Sequence, residues 1–118
     1  MGSLFANPEG AQIWLKGIAS FSSLTAVEKV QLTSIFHQLA RTCEQAYSSF
    51  RAGTLDAEIW HGLEANALEV FSSPGMREWW SLRSHWYSES FRSFIAKSNL
   101  VSTTYIETLE DAGQPTRE

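Results

Sequence analysis

Between residues 32 and 50 the apolar side chains fall at steps of three and four: Leu32, Ile35, Phe36, Leu39, Cys43, Ala46, Tyr47 and Phe50. That spacing puts them on one stripe of an α-helix. Lys29, Gln38, Arg41, Glu44, Gln45 and Arg51 occupy the opposite side. Ahead of the stripe stands Thr25-Ala-Val-Glu28, the spacing of a capping box, in which the Thr25 hydroxyl accepts from the third helical amide and Glu28 reaches back. No Pro or Gly follows until Gly53, which is placed to end the helix in the left-handed conformation. The pattern predicts one unbroken rod over residues 25–51, roughly 39 Å long at 1.5 Å per residue. This rod is the expected spine of the fold.

Shorter periodic segments flank it. Asn7-Pro8-Glu9 reads as cap, first helical position and dipole-favoured acid. Ile13, Trp14, Leu15, Ile18 and Phe21 then mark a first helix to about Phe21, weakened by Gly17. A third helix starts after Gly53 under Thr54 or Asp56, with Ile59, Trp60, Leu63, Ala67, Leu68, Val70 and Phe71 expected to point inward. Ser73 and Pro74 then read as cap and first residue of a fourth helix, which carries Met76, Trp79, Trp80, Leu82, Trp86 and Tyr87. Ser88-Glu-Ser opens a fifth segment with Phe91, Phe94 and Ile95, fading at Asn99. With no strand pairing suggested, the expected fold class is all-α: a single-domain bundle of four to five helices with one long central helix. Its expected extent is residues 4–99, followed by a tail over 100–118 that is partly disordered or a short helix.

Composition sharpens this picture in two ways. Of the 118 residues, 13% are aromatic, including Trp14, Trp60, Trp79, Trp80 and Trp86, and such rings supply much buried area to a small core. The formal net charge of −4 argues against nucleic acid as a partner, since duplex binding draws on a basic surface. With Cys43 as the only cysteine no internal disulfide forms, which fits a reducing compartment. There is no apolar run of ~18 residues that would insert in a membrane, and Met1-Gly-Ser-Leu-Phe lacks the start of a secretory signal. Met1-Gly2-Ser3 has the look of an expression scar, and the expected location is cytoplasmic.

The order Leu24-Thr25-x-x-Glu28, Glu44 on a long helix, Gly53-x-Leu55-Asp56-x-Glu58-x-Trp60, Pro74-Gly75-x-Arg77-x-Trp79-Trp80 and Phe91 resembles an uncharacterised bacterial helical domain family. The similarity covers residues 24–94. It implies a helical fold and carries no functional residues. Members of that family often follow one N-terminal membrane helix, so the resemblance implies a soluble version here, or a trimmed form of a membrane-tethered protein.

Few side chains suggest chemistry. Glu58-Ile-Trp-His61 has the Glu-x-x-His spacing of di-iron bundles, but a single copy supplies too few ligands, so no metal and no cofactor are expected. Cys43 on the apolar stripe reads as a small buried hydrophobe rather than a nucleophile paired with His37, His61 or His85. No Gly-x-Ser-x-Gly elbow or phosphate-cradling loop occurs, and no catalytic residue is assigned. The fourth helix is the best candidate surface. On a continuous helix Trp79, Leu82 and Trp86 share one face, and Met76, Trp80, Arg83 and Tyr87 another, with Arg77 beside it. A second apolar face needs a second neighbour, either the tail or first helix of this chain or a partner. Trp, Tyr and Arg favour interfaces, so Arg77, Trp80, Arg83 and Tyr87 are the binding candidates. The expectation is a non-catalytic interaction or self-association module whose partner is itself or another protein. The alternative is a small-molecule, anion-binding protein or enzyme with a pocket between the third and fourth helices, lined by Arg77, His61 or Arg83.

Overall fold

A computed structural model describes residues 8–98, so the expected Asn7 cap and the tail over 100–118 lie outside the described residues. Five α-helices follow one another: α1 (Pro8–Ala19), α2 (Ala26–Arg51), α3 (Ala57–Phe71), α4 (Pro74–Arg83) and α5 (Glu89–Lys97), with a 3₁₀ turn over Ser84–Trp86 between the last two. No strand occurs among the described residues. The all-α class and the long central helix are as the sequence predicts. The spine touches each of the other four helices.

Its two ends are built from local chemistry. The Glu28 amide donates to Thr25 Oγ1 at 3.2 Å, and the Thr25 amide donates to Glu28 Oε1 at 2.9 Å, which closes the capping box. Lys16 of α1 pairs with the same carboxylate at 3.2 Å. The Thr25 amide, then Lys16, holds the Glu28 carboxyl below its ordinary range. At the other end Gly53 sits at φ 79°. Its amide donates to Phe50 O and the Thr54 amide to Ser49 O, both at 3.0 Å. Those two bonds are the paired closure of a Schellman motif, which needs the left-handed residue glycine tolerates. Asp56, rather than Thr54, caps α3, accepting from the Glu58 and Ile59 amides at 2.8 and 3.3 Å.

The interior is aromatic and has two ends. Phe36 of α2 meets Trp14 and Trp79 edge-on, with centroids 5.7 and 5.6 Å apart. Beyond it Tyr47 stacks on Phe94 at 4.5 Å, and Phe50 on Trp60 at 5.4 Å. Phe91 joins these groups through Trp80, Tyr87, Phe71 and Tyr47. The high aromatic content therefore fills the core. Cys43 is buried there too. Burial, with a smaller effect of Glu64, pushes its thiol up to about 12, so it holds no thiolate at neutral pH.

Helices α1 and α4 cross at two glycines. A Cβ on Gly75 would stand 1.6 Å from the Gly17 carbonyl oxygen, so the two backbones are in direct contact. Glu78, one turn along α4, accepts from the Phe21 amide at 2.8 Å and holds the turn after α1.

The structure corrects four expectations. Ser73 occupies the cap position of α4, but its hydroxyl donates back to Val70 O at 2.7 Å and makes no capping bond. Ile59 and Leu63 do not face inward: they are exposed, because α3 buries the single stripe of Trp60, Val70 and Phe71. The fourth helix ends at Arg83, so Trp86 and Tyr87 do not continue its faces. Its second apolar face finds its neighbours inside the domain: Trp80 packs on Phe71 of α3 at 5.1 Å and on Phe91 of α5 at 5.8 Å.

Candidate functional site

Of the four candidate residues, Trp80 and Tyr87 meet ring to ring at 5.1 Å. Arg77 is exposed on α4. Trp80 is half-buried among rings, and Tyr87 is 4% exposed. Arg83 lies with its guanidinium 5.2 Å from the Trp86 ring. The indole that faces water is thus Trp86, 43% exposed, beside Leu82 at 52%. Sequence spacing puts Trp86 on one face with Trp79 and Leu82, since nothing in Ser84-His85 announces that the helix tightens and stops.

Trp86 forms one wall of an open groove of ≈ 510 Å³ whose other members are Thr33, Ser34, His37 and Arg41 of α2. Thr33, His37 and Arg41 stand four residues apart, which puts them on one line along the helix. Lys29 extends the same line by a further turn. This regularity was present in the sequence. The indole across from it is brought there by tertiary structure alone.

Thr33, His37 and Arg41 are each held by side chains beneath. Thr33 Oγ1 accepts from Trp79 Nε1 at 3.2 Å. His37 Nδ1 lies 2.6 Å from Tyr87 Oη, and its ring meets Trp86 edge-on at 5.5 Å. The Arg41 guanidinium covers the Tyr87 ring at 4.9 Å and pairs with Glu44. The other Glu44 oxygen accepts from the Ser88 amide at 2.7 Å, which ties the corner before α5 to α2.

Burial, against Arg41 and with Glu44, pushes the Tyr87 phenol up to about 12. The phenol therefore keeps its hydrogen. The sign for stability follows: the fold retains a proton that the unfolded chain releases near the ordinary value of 10. The contribution is whole below pH 10 and is lost as pH rises towards about 12. Tyr87→Phe removes both the ionisation and the bond to His37. It is expected to cost about 1 kcal/mol at neutral pH, with a shallower fall of the urea midpoint than the parent shows across the alkaline range. Parallel curves above pH 10 would contradict this reading.

A second, larger groove of ≈ 900 Å³ runs between α2 and α5, where Arg51 and Lys97 stand with Glu89, Tyr47 and Phe94. Neither groove lies between α3 and α4, where the alternative reading put its pocket. His61, one expected lining residue, is exposed and 3.7 Å from Glu64. Glu58 is also exposed. No group of three His, Cys, Asp or Glu residues able to hold a metal occurs among the described residues. No helix among them is long and apolar enough to cross a membrane.

Fold and site together define a class: a small all-α domain with a donor-lined groove at one corner. No protein-family model matches the chain, and no curated protein or solved structure matches it significantly.

Proposed function

We propose that this chain is a non-catalytic binding module and that its recognition surface is the corner formed by Leu82, Arg83 and Trp86 over α2. One observation carries the reading: a large indole is left in water at Trp86 while the neighbouring rings of Trp79 and Tyr87 are buried. It is gripped at the same time by Arg83 at 5.2 Å and His37 at 5.5 Å. A rigid, half-exposed Trp flanked by Arg is the composition that dominates binding energy at interfaces. The corner carries the guanidinium groups of Arg83 and of Arg41, the latter paired with Glu44, around Trp86, against a chain of net charge −4. A two-fold contact through it would set those cations against their own copies. An acidic segment of another protein suits it better than a second copy does.

The test is selection of random peptides on the immobilised chain. Acidic sequences carrying an apolar residue are expected to be enriched, and Trp86→Ala, which removes a surface ring, should abolish the enrichment. Enrichment of basic sequences, or enrichment indifferent to that substitution, would overturn the reading.

Self-association is the second reading, supported by a different surface. Ile59 and Leu63 stand four residues apart on α3, 57% and 38% exposed, and form an apolar strip. Sedimentation velocity decides it: a concentration-dependent dimer that Ile59→Lys dissolves would favour it, and a monomer at millimolar concentration would end it.

A further inference from the structure

The groove beside Trp86 has an organisation that a generic contact surface does not need. Its hydrogen-bond donors are aimed from below by buried partners. Thr33 Oγ1 spends a lone pair on the Trp79 indole N–H, so its own hydrogen remains available to donate. The buried Tyr87 hydroxyl has His37 Nδ1 as its partner at 2.6 Å. Where the phenol donates to Nδ1, the imidazole hydrogen stands on Nε2 and can be donated from there. Arg41 is pinned on two sides, over the Tyr87 ring at 4.9 Å and paired through one nitrogen with Glu44. A guanidinium has five N–H donors in a rigid fork, so most of the fork stays available beyond that pair. Ser34 adds a hydroxyl at the rim, and Trp86 closes the far side with an apolar plate.

Glu44 offsets much of the charge of Arg41, so net charge does not make this an anion site. Directed donors do. Three of them stand along one line of α2 and line one open groove of ≈ 510 Å³. A planar oxyanion offers acceptors to match neighbouring donors one turn apart: two oxygens for the Arg41 fork and the His37 N–H.

We propose that the groove formed by Thr33, His37, Arg41 and Trp86 is a seat for a carboxylate carried on a flat apolar group, the oxygens meeting the α2 donors and the flat group lying against the indole. This rests on the binding-module reading and names the chemistry its partner presents. The carboxylate can come from an acidic side chain or terminus of a peptide, or from a free aromatic acid, and the two sources are separable.

The experiment is a titration of the full chain followed by ¹H–¹⁵N spectra, with benzoate, uncharged benzamide and phenylalanine-containing acidic peptides as probes. Benzoate is expected to saturate with Kd on the order of millimolar, as suits so small a ligand, and to move the Trp86 indole and the His37 and Arg41 amides. Benzamide should bind at least fivefold more weakly. Arg41→Lys keeps the charge and loses the planar fork, and should weaken benzoate at least fivefold while the dispersed spectrum persists. Ser34→Ala, a rim change with no partner beneath it, is a second variant expected to weaken benzoate about twofold. Equal binding of benzoate and benzamide, shifts confined to the groove around Tyr47 and Phe94, or indifference to Arg41→Lys would each overturn the proposal. Benzoate binding without any peptide binding would leave the seat standing and remove the protein-partner reading. Peptide binding at Trp86 without benzoate shifts would do the reverse.

Discussion

Gly75→Ala unfolds much of this domain's margin, at an expected cost of about 3 kcal/mol in urea denaturation. The sign runs against helix propensity, by which alanine for glycine inside a helix gains up to about 1 kcal/mol. Sterics decide. The new Cβ would stand 1.6 Å from Gly17 O, 2.7 Å from Gly17 C and 2.9 Å from Ile18 Cα. All three are backbone atoms, which cannot turn aside, so α1 must lift off α4. That movement would also stretch the bond of 2.8 Å from the Phe21 amide to Glu78. Gly17→Ala is the internal control. Its Cβ meets Leu32 Cδ2 at 1.8 Å, the far end of a side chain. Leu32 can change rotamer within a tight core, and the expected loss is about 1 kcal/mol. If Gly75→Ala matches the parent in stability, the helix crossing is not as described.

The second large effect is at Phe36. It is fully buried and touches Trp14, Phe21 and Trp79. Phe36→Ala should cost about 4 kcal/mol, from lost transfer energy plus the cavity left behind. Against a total of about 5–15 kcal/mol for a domain, that lowers the thermal midpoint by roughly 15–25 °C. Phe36→Leu refills most of the volume and should recover more than half of the loss. Calorimetry of the two variants beside the parent checks both values. A drop of under 5 °C for Phe36→Ala would mean that this ring is peripheral.

Most of the backbone was legible because its signals are local. The Thr25–Glu28 box, the left-handed Gly53, the Asp56 cap and Pro74 each act within a turn of their own position, and each defines a helix end in the structure. The errors share a different cause. Ile59 and Leu63 are as apolar as Trp60 and Phe71, and only the arrangement of neighbouring helices decides which stripe of α3 is covered. Trp86 and Tyr87 lie at helical spacing from Trp79 and Arg83, with no breaker between. The chain nevertheless tightens at Ser84 and is extended at Tyr87 (φ −116°, ψ 164°). That exit delivers Tyr87 to His37 and leaves Trp86 outside, so neither side chain stands where a continued helix would put it. The α2 half of the groove could have been found from the four-residue spacing of Thr33, His37 and Arg41. The indole opposite could not, since 45 residues separate Arg41 from Trp86 only along the chain.

Phe91 has a consequence for how the molecule comes apart. Its ring is shared by the Tyr47–Phe94 end of the interior and by the Trp80–Tyr87 end. Loosening α5 therefore strips contacts from both ends at once. A domain wired in this way is expected to melt as one unit, with its slowest-exchanging amides opening together in hydrogen exchange.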